Sequence, residues 1–173
     1  HILHLVNLHL RAPLAAPVPG GKIDSFAWKA VSPWAEGFFL AATKRTGQAL
    51  EIRMLVDSIL DADPNALIAV AGDFNAGIEE TPVRIVRGDP RDTGNAALAG
   101  RALNALEDRV PEERRYSVVH ARRRELLDHI LVSRALLTRA QGLEIDNEGL
   151  GDELGAEGPG SHHAPLVASF DLD

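Results

Sequence analysis

The chain has no cysteine among its 173 residues, so it holds neither a disulfide framework nor a thiolate metal site. That absence leaves the compartment open. No apolar run approaches the length of a membrane span, so the chain reads as soluble. Positive charge is in short supply. Lys and Arg number 18 against 25 Asp and Glu, a formal net charge of −7. A broad basic footprint for nucleic acid is therefore missing, although a local patch is compatible with this balance. Aromatic residues are few, and five of the eight fall between Phe26 and Phe39. No initiating methionine or signal peptide is visible. The chain begins at His1 on a strand-like segment, from which an upstream part is expected. What remains is an ordinary globular composition, long enough for one domain with a sizeable core.

The stretch that organises the chain is Ala69-Val70-Ala71-Gly72-Asp73-Phe74-Asn75-Ala76. Leu67 to Ala71 carry no polar side chain, as expected of a central strand covered on both faces. Gly72 lets the backbone turn where a side chain would obstruct. In extended geometry Asp73 and Asn75 leave on one face, and Phe74 points the other way, into the core. An acid and an amide at the end of a rigid strand suit a reacting phosphate. Asp73 can take a proton from water, and Asn75 can hydrogen-bond a charged oxygen. Alone, the tetrapeptide Gly-Asp-x-Asn equally describes an Asx turn after a strand.

Elsewhere, Ile2 to Leu10 reads as a strand with Asn7 and His9 on one face and Val6, Leu8 and Leu10 on the other. Residues 11–42 form a long connection, interrupted early by proline and glycine. Ser32-Pro33 suits a helix start, which Gly37 weakens. The aromatics there suit either a lid or partner surface beside the site, or a loop that buries its own rings. Thr43 to Ala62 is helical, with Ile52, Leu55, Val56 and Ile59 on one face. A short helix is expected from Thr81, and a longer one over Ala96 to Arg109. Tyr116 to His120 and Leu126 to Val132 read as the two strands of a hairpin. Arg114, Arg115 and Arg122 to Arg124 are its basic concentration, either a phosphate-contacting edge or a solvated tip. Asp128 interrupts the apolar run Leu126 to Val132, a costly placement for a carboxylate without a cation, a metal or several donors. Residues 142–160 read as a Gly-rich acidic loop. Ser161-His162-His163-Ala164-Pro165 then leads to a last strand, and its histidines suit ligands, proton donors or an exposed turn.

Together, Asn7-Leu8-His9, Gly72-Asp73-Phe74-Asn75, Leu127-Asp128-His129-Ile130-Leu131 and Ser161-His162-His163-Ala164-Pro165 resemble the endonuclease/exonuclease/phosphatase superfamily. Its members include DNase I-like nucleases, abasic-site nucleases, inositol-phosphate phosphatases and sphingomyelinases. The resemblance spans nearly the whole chain. It implies a four-layer α/β sandwich of two packed mixed β-sheets flanked by helices, with residues 1–173 as a single domain. It also implies a divalent metal, usually Mg²⁺. By that resemblance Asp73 orients or deprotonates the attacking water, and Asn75 holds the water or a phosphate oxygen. His9 and His163 contact the phosphoryl oxygens, Asp128 fixes the His163 ring, and Asn7 supports the cluster. Asp73, Asn75 and His162 are the expected metal residues.

Two departures from the family pattern matter. The residue before the final His is usually Asp and contributes to metal binding, but here it is His162. A neutral imidazole suits Mn²⁺ or another transition metal. The family's first half carries an early Asn and a metal-binding Glu, so the chain looks like the C-terminal half of the domain. The expected function is a metal-dependent phosphoester hydrolase, of phosphodiesterase or nuclease type. Its substrate would be a nucleic acid, a nucleotide or a phospholipid headgroup. The alternative is a catalytically impaired phosphate- or partner-binding module. A separate N-terminal portion of the same domain is the expected polypeptide partner.

Overall fold

A computed structural model describes residues 2–154 and 161–173. In chain order the elements are β1 (Leu3–His9), α1 (Val31–Ala62), β2 (Leu67–Asp73), α2 (Thr81–Arg87), β3 (Asn104–Ala105), β4 (Val118–His120), β5 (Arg123–Glu125), β6 (Asp128–Val132), α3 (Arg134–Leu137), β7 (Ala140–Ile145) and β8 (Leu166–Phe170). Three short 3₁₀ turns lie between α2 and β4.

The main sheet is mixed, in the order β1-β2-β6-β3. β2 runs parallel to β1 and antiparallel to β6. The apolar run in β2 is explained by burial on both faces. Ile68 and Val70 pack with Leu8, Val56, Leu60, Val83 and Val86 under α1 and α2. Leu67 and Ala69 face the other way, with Ile130, Val132, Leu136 and the antiparallel pair β7–β8. Helices, mixed sheet and second sheet thus form successive layers of an α/β sandwich. Among the described residues the second sheet is the two-stranded antiparallel pair β7–β8, rather than a mixed sheet.

Several local expectations are corrected. Helix α1 starts at Val31, with Ala30 and not Ser32 as its N-cap, and runs through Gly37. A Cβ at Gly37 would stand 2.2 Å from the Ala16 carbonyl oxygen, so glycine there admits the incoming segment. The aromatics of residues 26–39 are mostly exposed, with Trp28 half-buried beside Gly37. Phe26 is 93% exposed, and Trp34 stacks on Phe38 at the surface with centroids 5.6 Å apart. Ala96 to Arg109 is not a helix but a 3₁₀ turn, strand β3 and a second 3₁₀ turn. Pairing of Asn104 and Ala105 with β6 outweighs the local Ala and Leu preference. β4 pairs with β5, not with Leu126–Val132. The turn is only Ala121-Arg122, which frees the chain after Glu125 to cross into the main sheet as β6. The expected loop over 142–160 begins as strand β7, and its positions 155–160 lie outside the described residues.

Candidate phosphoester-hydrolase site

Strand register places the site. His9 pairs with Asp73 across β1 and β2, and Asp73 pairs with Asp128 across β2 and β6. One row across three strands therefore reads His9, Asp73, Asp128. Gly72 makes the close spacing of β1 and β2 feasible. Its φ is +138°, and an added Cβ would meet the Leu8 carbonyl oxygen at 2.0 Å. Two carboxylates opposite each other repel unless cations or donors intervene. Here both are flanked by imidazoles. His9 Nε2 lies 3.5 Å from Asp73 Oδ2, and His163 Nδ1 lies 2.7 Å from Asp128 Oδ2. His9 is exposed, whereas both aspartates are largely shielded.

Each member is anchored from its own backbone. The Ser117 hydroxyl oxygen accepts from the N–H groups of Leu127 and Asp128. The Ser117 carbonyl accepts from Ala164 N at 2.7 Å, which brings the His163 turn to the end of β6. Ala71, Gly72, Asp128, Ile130, His163 and Pro165 line a cleft of about 440 Å³ beside this row.

Asn75 reaches Asp73 by a different route from strand alternation. Its φ is +49°, in the left-handed region. From there its backbone N–H donates to Asp73 Oδ1 at 2.7 Å. Its Nδ2 donates to Asp73 Oδ2 at 3.2 Å and to the Leu10 carbonyl at 3.0 Å. Both amide hydrogens are thereby used, and the amide oxygen is left as an acceptor for water or a cation rather than a donor to phosphate.

No family model matches the chain, and no curated protein matches it. Solved structures do. An AP endonuclease from Archaeoglobus fulgidus superposes with a TM-score of 0.55 at 18% identity, over 98% of this chain and 62% of that one. The 3′ phosphatase NExo from Neisseria, bound to product DNA hairpin, gives 0.54 at 18% identity, over 97% and 61%. The chain has the DNase I-like fold. It spans about three fifths of the length of these structures.

Within this fold, Asp73, Asp128 and His163 offer ligand atoms that all lie within 4.8 Å of one another, among the described residues. Two hard carboxylate oxygens beside an imidazole fit a divalent ion, Mg²⁺ through the carboxylates and Mn²⁺ with the imidazole as well. The row thus brings together His9, Asp73, Asp128 and His163, with Asn75 locked to Asp73. It does not include His162, which is half-buried and stands outside the three-residue group. Asn7 is exposed opposite Ala71, two residues before His9 along β1.

Three residues around the site were not picked out from sequence. Arg45, on the buried stripe of α1 with Ala41 and Ala49, donates from Nη1 to the Asn75 carbonyl at 2.7 Å. His129, fully buried, donates from Nε2 to the Ala76 carbonyl at 2.8 Å, and its Nδ1 meets Glu107 at 2.5 Å. Their signal was there. An arginine on an alanine stripe, and a histidine on the core-facing alternation of a strand, both need buried polar partners.

Proposed function

We propose that this chain carries the catalytic portion of a divalent-metal-dependent phosphoester hydrolase, a phosphodiesterase of nuclease type. The observation that carries the reading is the row His9, Asp73, Asp128 with His163 closing on Asp128. The attacking water sits against Asp73, which orients it and takes its proton as oxygen bonds to phosphorus and the ester P–O bond breaks. Asn75 supports the same water through its free amide oxygen. His9 and His163 face the phosphoryl oxygens as charge builds there, and Asp128 fixes the His163 ring. The Asp73 and Asp128 carboxylates are the groups that would hold a divalent metal, which would supply charge neutralisation at the phosphoryl oxygens, while His163, its Nδ1 engaged by Asp128, keeps Nε2 for a phosphoryl oxygen. Nucleic acid is the first substrate class, ahead of nucleotides and phospholipid headgroups. The likeness to a phosphatase bound to DNA and to an AP endonuclease supports that order.

Among the described residues β1 has a neighbour on one edge only, and Leu5 on β1 is 67% exposed. Open apolar strands of this kind are normally covered. We propose that a further portion of the same domain covers this edge and completes the metal site. The denatured intact mass of every polypeptide in the purified sample checks this. A second polypeptide supports a two-piece site, and a stable monomer that turns over alone refutes it.

The test of activity compares a generic phosphodiester with a generic monoester, with Mg²⁺ and with Mn²⁺. With the completing portion present, steady diester hydrolysis is expected, lost by at least about 100-fold in Asp73→Ala. Asp128→Asn should lose activity comparably while its melting temperature stays within about 4 °C of wild type. If Asp128→Asn unfolds, Asp128 is structural and its assigned role fails. The second reading, a phosphate-binding module without turnover, is motivated by His162 where the family has Asp. Phosphate binding with no metal-dependent hydrolysis would establish it.

A further inference from the structure

The turn after β2 is gripped at three consecutive residues. Phe74 donates its N–H to the Leu127 carbonyl at 2.9 Å, and its ring meets the His129 ring edge-on at 5.3 Å. Arg45 takes the Asn75 carbonyl from α1, and His129 takes the Ala76 carbonyl from β6. Both grips are costly. Arg45 is nine-tenths buried, and its Nε has no hydrogen-bond partner among the described residues. His129 is fully buried and brings with it the buried carboxylate of Glu107. A methionine or leucine would fill such positions without desolvating a cation or an acid. Among the described residues, the one polar task Arg45 performs is its bond to Asn75, the residue in left-handed backbone. That conformation is uncommon outside glycine, although asparagine tolerates it better than most residues, and it persists where the surroundings support it.

We infer that Arg45 and His129 are positioning residues for the Asp73–Asn75 pair. Holding successive carbonyls from opposite sides, they keep Asn75 in the one backbone state from which its N–H and its side-chain amide both reach the Asp73 carboxylate. The carboxylate is thereby fixed in rotation, and the Asn75 amide oxygen is turned outward. Both residues are buried and act through the turn. Their effect on rate rests on the hydrolase reading, but the geometry they fix does not.

The experiment reads both separately. Amide exchange at Asn75 is measured relative to Val70, a core amide of β2 that reports global opening. In Arg45→Met the ratio should rise about tenfold, because only the turn is released. Arg45→Lys keeps the charge and a donor, and should bring the ratio to within about threefold of wild type. Where a substitution at Arg45 unfolds the chain, the double variant His129→Leu with Glu107→Leu removes the other grip with its buried partner, and the same rise is expected. On the diester substrate, Arg45→Met should lower kcat by about 10- to 100-fold with KM within about twofold. An unchanged ratio in both variants, or a lysine that recovers no more than methionine, overturns the inference. So does a rise in KM with kcat intact. If wild type fails to turn over with the completing portion present, the hydrolase reading falls, and the exchange ratio still decides the positioning role.

Discussion

Among the described residues, three non-glycine positions have positive φ, and they fall in two places that solve the same problem differently. Asn75, at +49°, sits in the site turn and is held by side chains from α1 and β6. Ala121 and Arg122, at +48° and +64°, form the two-residue tip of the β4–β5 hairpin. There the restraint is a single surface carboxylate, Asp152, which accepts from Ala121 N at 3.2 Å and Arg122 N at 2.6 Å. Left-handed backbone costs on the order of 1 kcal/mol per residue in either place. At the site the cost is met by buried partners that also fix a carboxylate. At the hairpin it is met by a surface cap and by the ladder beneath. Strain that is braced from the core marks a position that must not move. Strain capped from the surface marks only the shortest connection between two strands.

The largest effect should come from breaking the braced side. Gly72→Ala places a Cβ 2.0 Å from the Leu8 carbonyl oxygen, at a φ of +138° that side chains avoid. The neighbour is backbone held in the β1–β2 register and has nowhere to go. We expect a loss of at least about 3 kcal/mol in denaturant unfolding. A loss under about 1 kcal/mol would mean that β1 and β2 part easily there, and that the His9–Asp73 pairing is not rigid.

A smaller effect of opposite sign should come from relieving the surface side. Two consecutive left-handed residues define the turn type that favours Asn-Gly, and Ala-Arg fits it poorly. Ala121→Asn with Arg122→Gly should stabilise by about 0.5–1 kcal/mol, read as a higher denaturant midpoint with an unchanged slope. Diester hydrolysis should stay at the wild-type rate. A destabilised double variant would show that the arginine at the tip is held by more than its backbone.

The same contrast explains what was legible in the sequence. β2 could be read because burial on both faces writes a run of apolar residues with nothing polar between Leu67 and Ala71. Asp128 could be read because a carboxylate beside Ile130 and Leu131 demands a partner, and it has one in His163. The row joining His9, Asp73 and Asp128 could not be derived from spacing, since register is set by pairing between residues far apart in the chain, His9 with Asp73 and Asp73 with Asp128. The family resemblance supplied that grouping. The hairpin was drawn too long because its turn lacks the usual glycine or asparagine, so Arg122 to Arg124 were taken for a connection when two of them begin β5. Arg45 stayed hidden because its partner is a backbone carbonyl, which no side-chain motif announces.

The smallest effect sharpens the hairpin side by pH. Backbone N–H groups of Leu154, and then of Arg122 and Ala121, hold the Asp152 carboxyl below its ordinary value. A carboxyl lowered on folding contributes stability that is fully present above its unfolded value, about 3.9, and lost as pH falls through the folded value. The cap is therefore complete at neutral pH and released only below about pH 4. Following the Arg122 amide resonance through an acid titration should give a midpoint under that ordinary value, and Asp152→Asn should abolish the step. Because Asp152 is only half-buried and caps a surface turn, the change in global stability across the step should be slight. A midpoint at or above the ordinary value would mean that the carboxylate does not hold the turn in solution. The β4–β5 ladder would then carry the strain of Ala121 and Arg122 alone, and the two left-handed sites would differ not in the kind of restraint but in whether one exists.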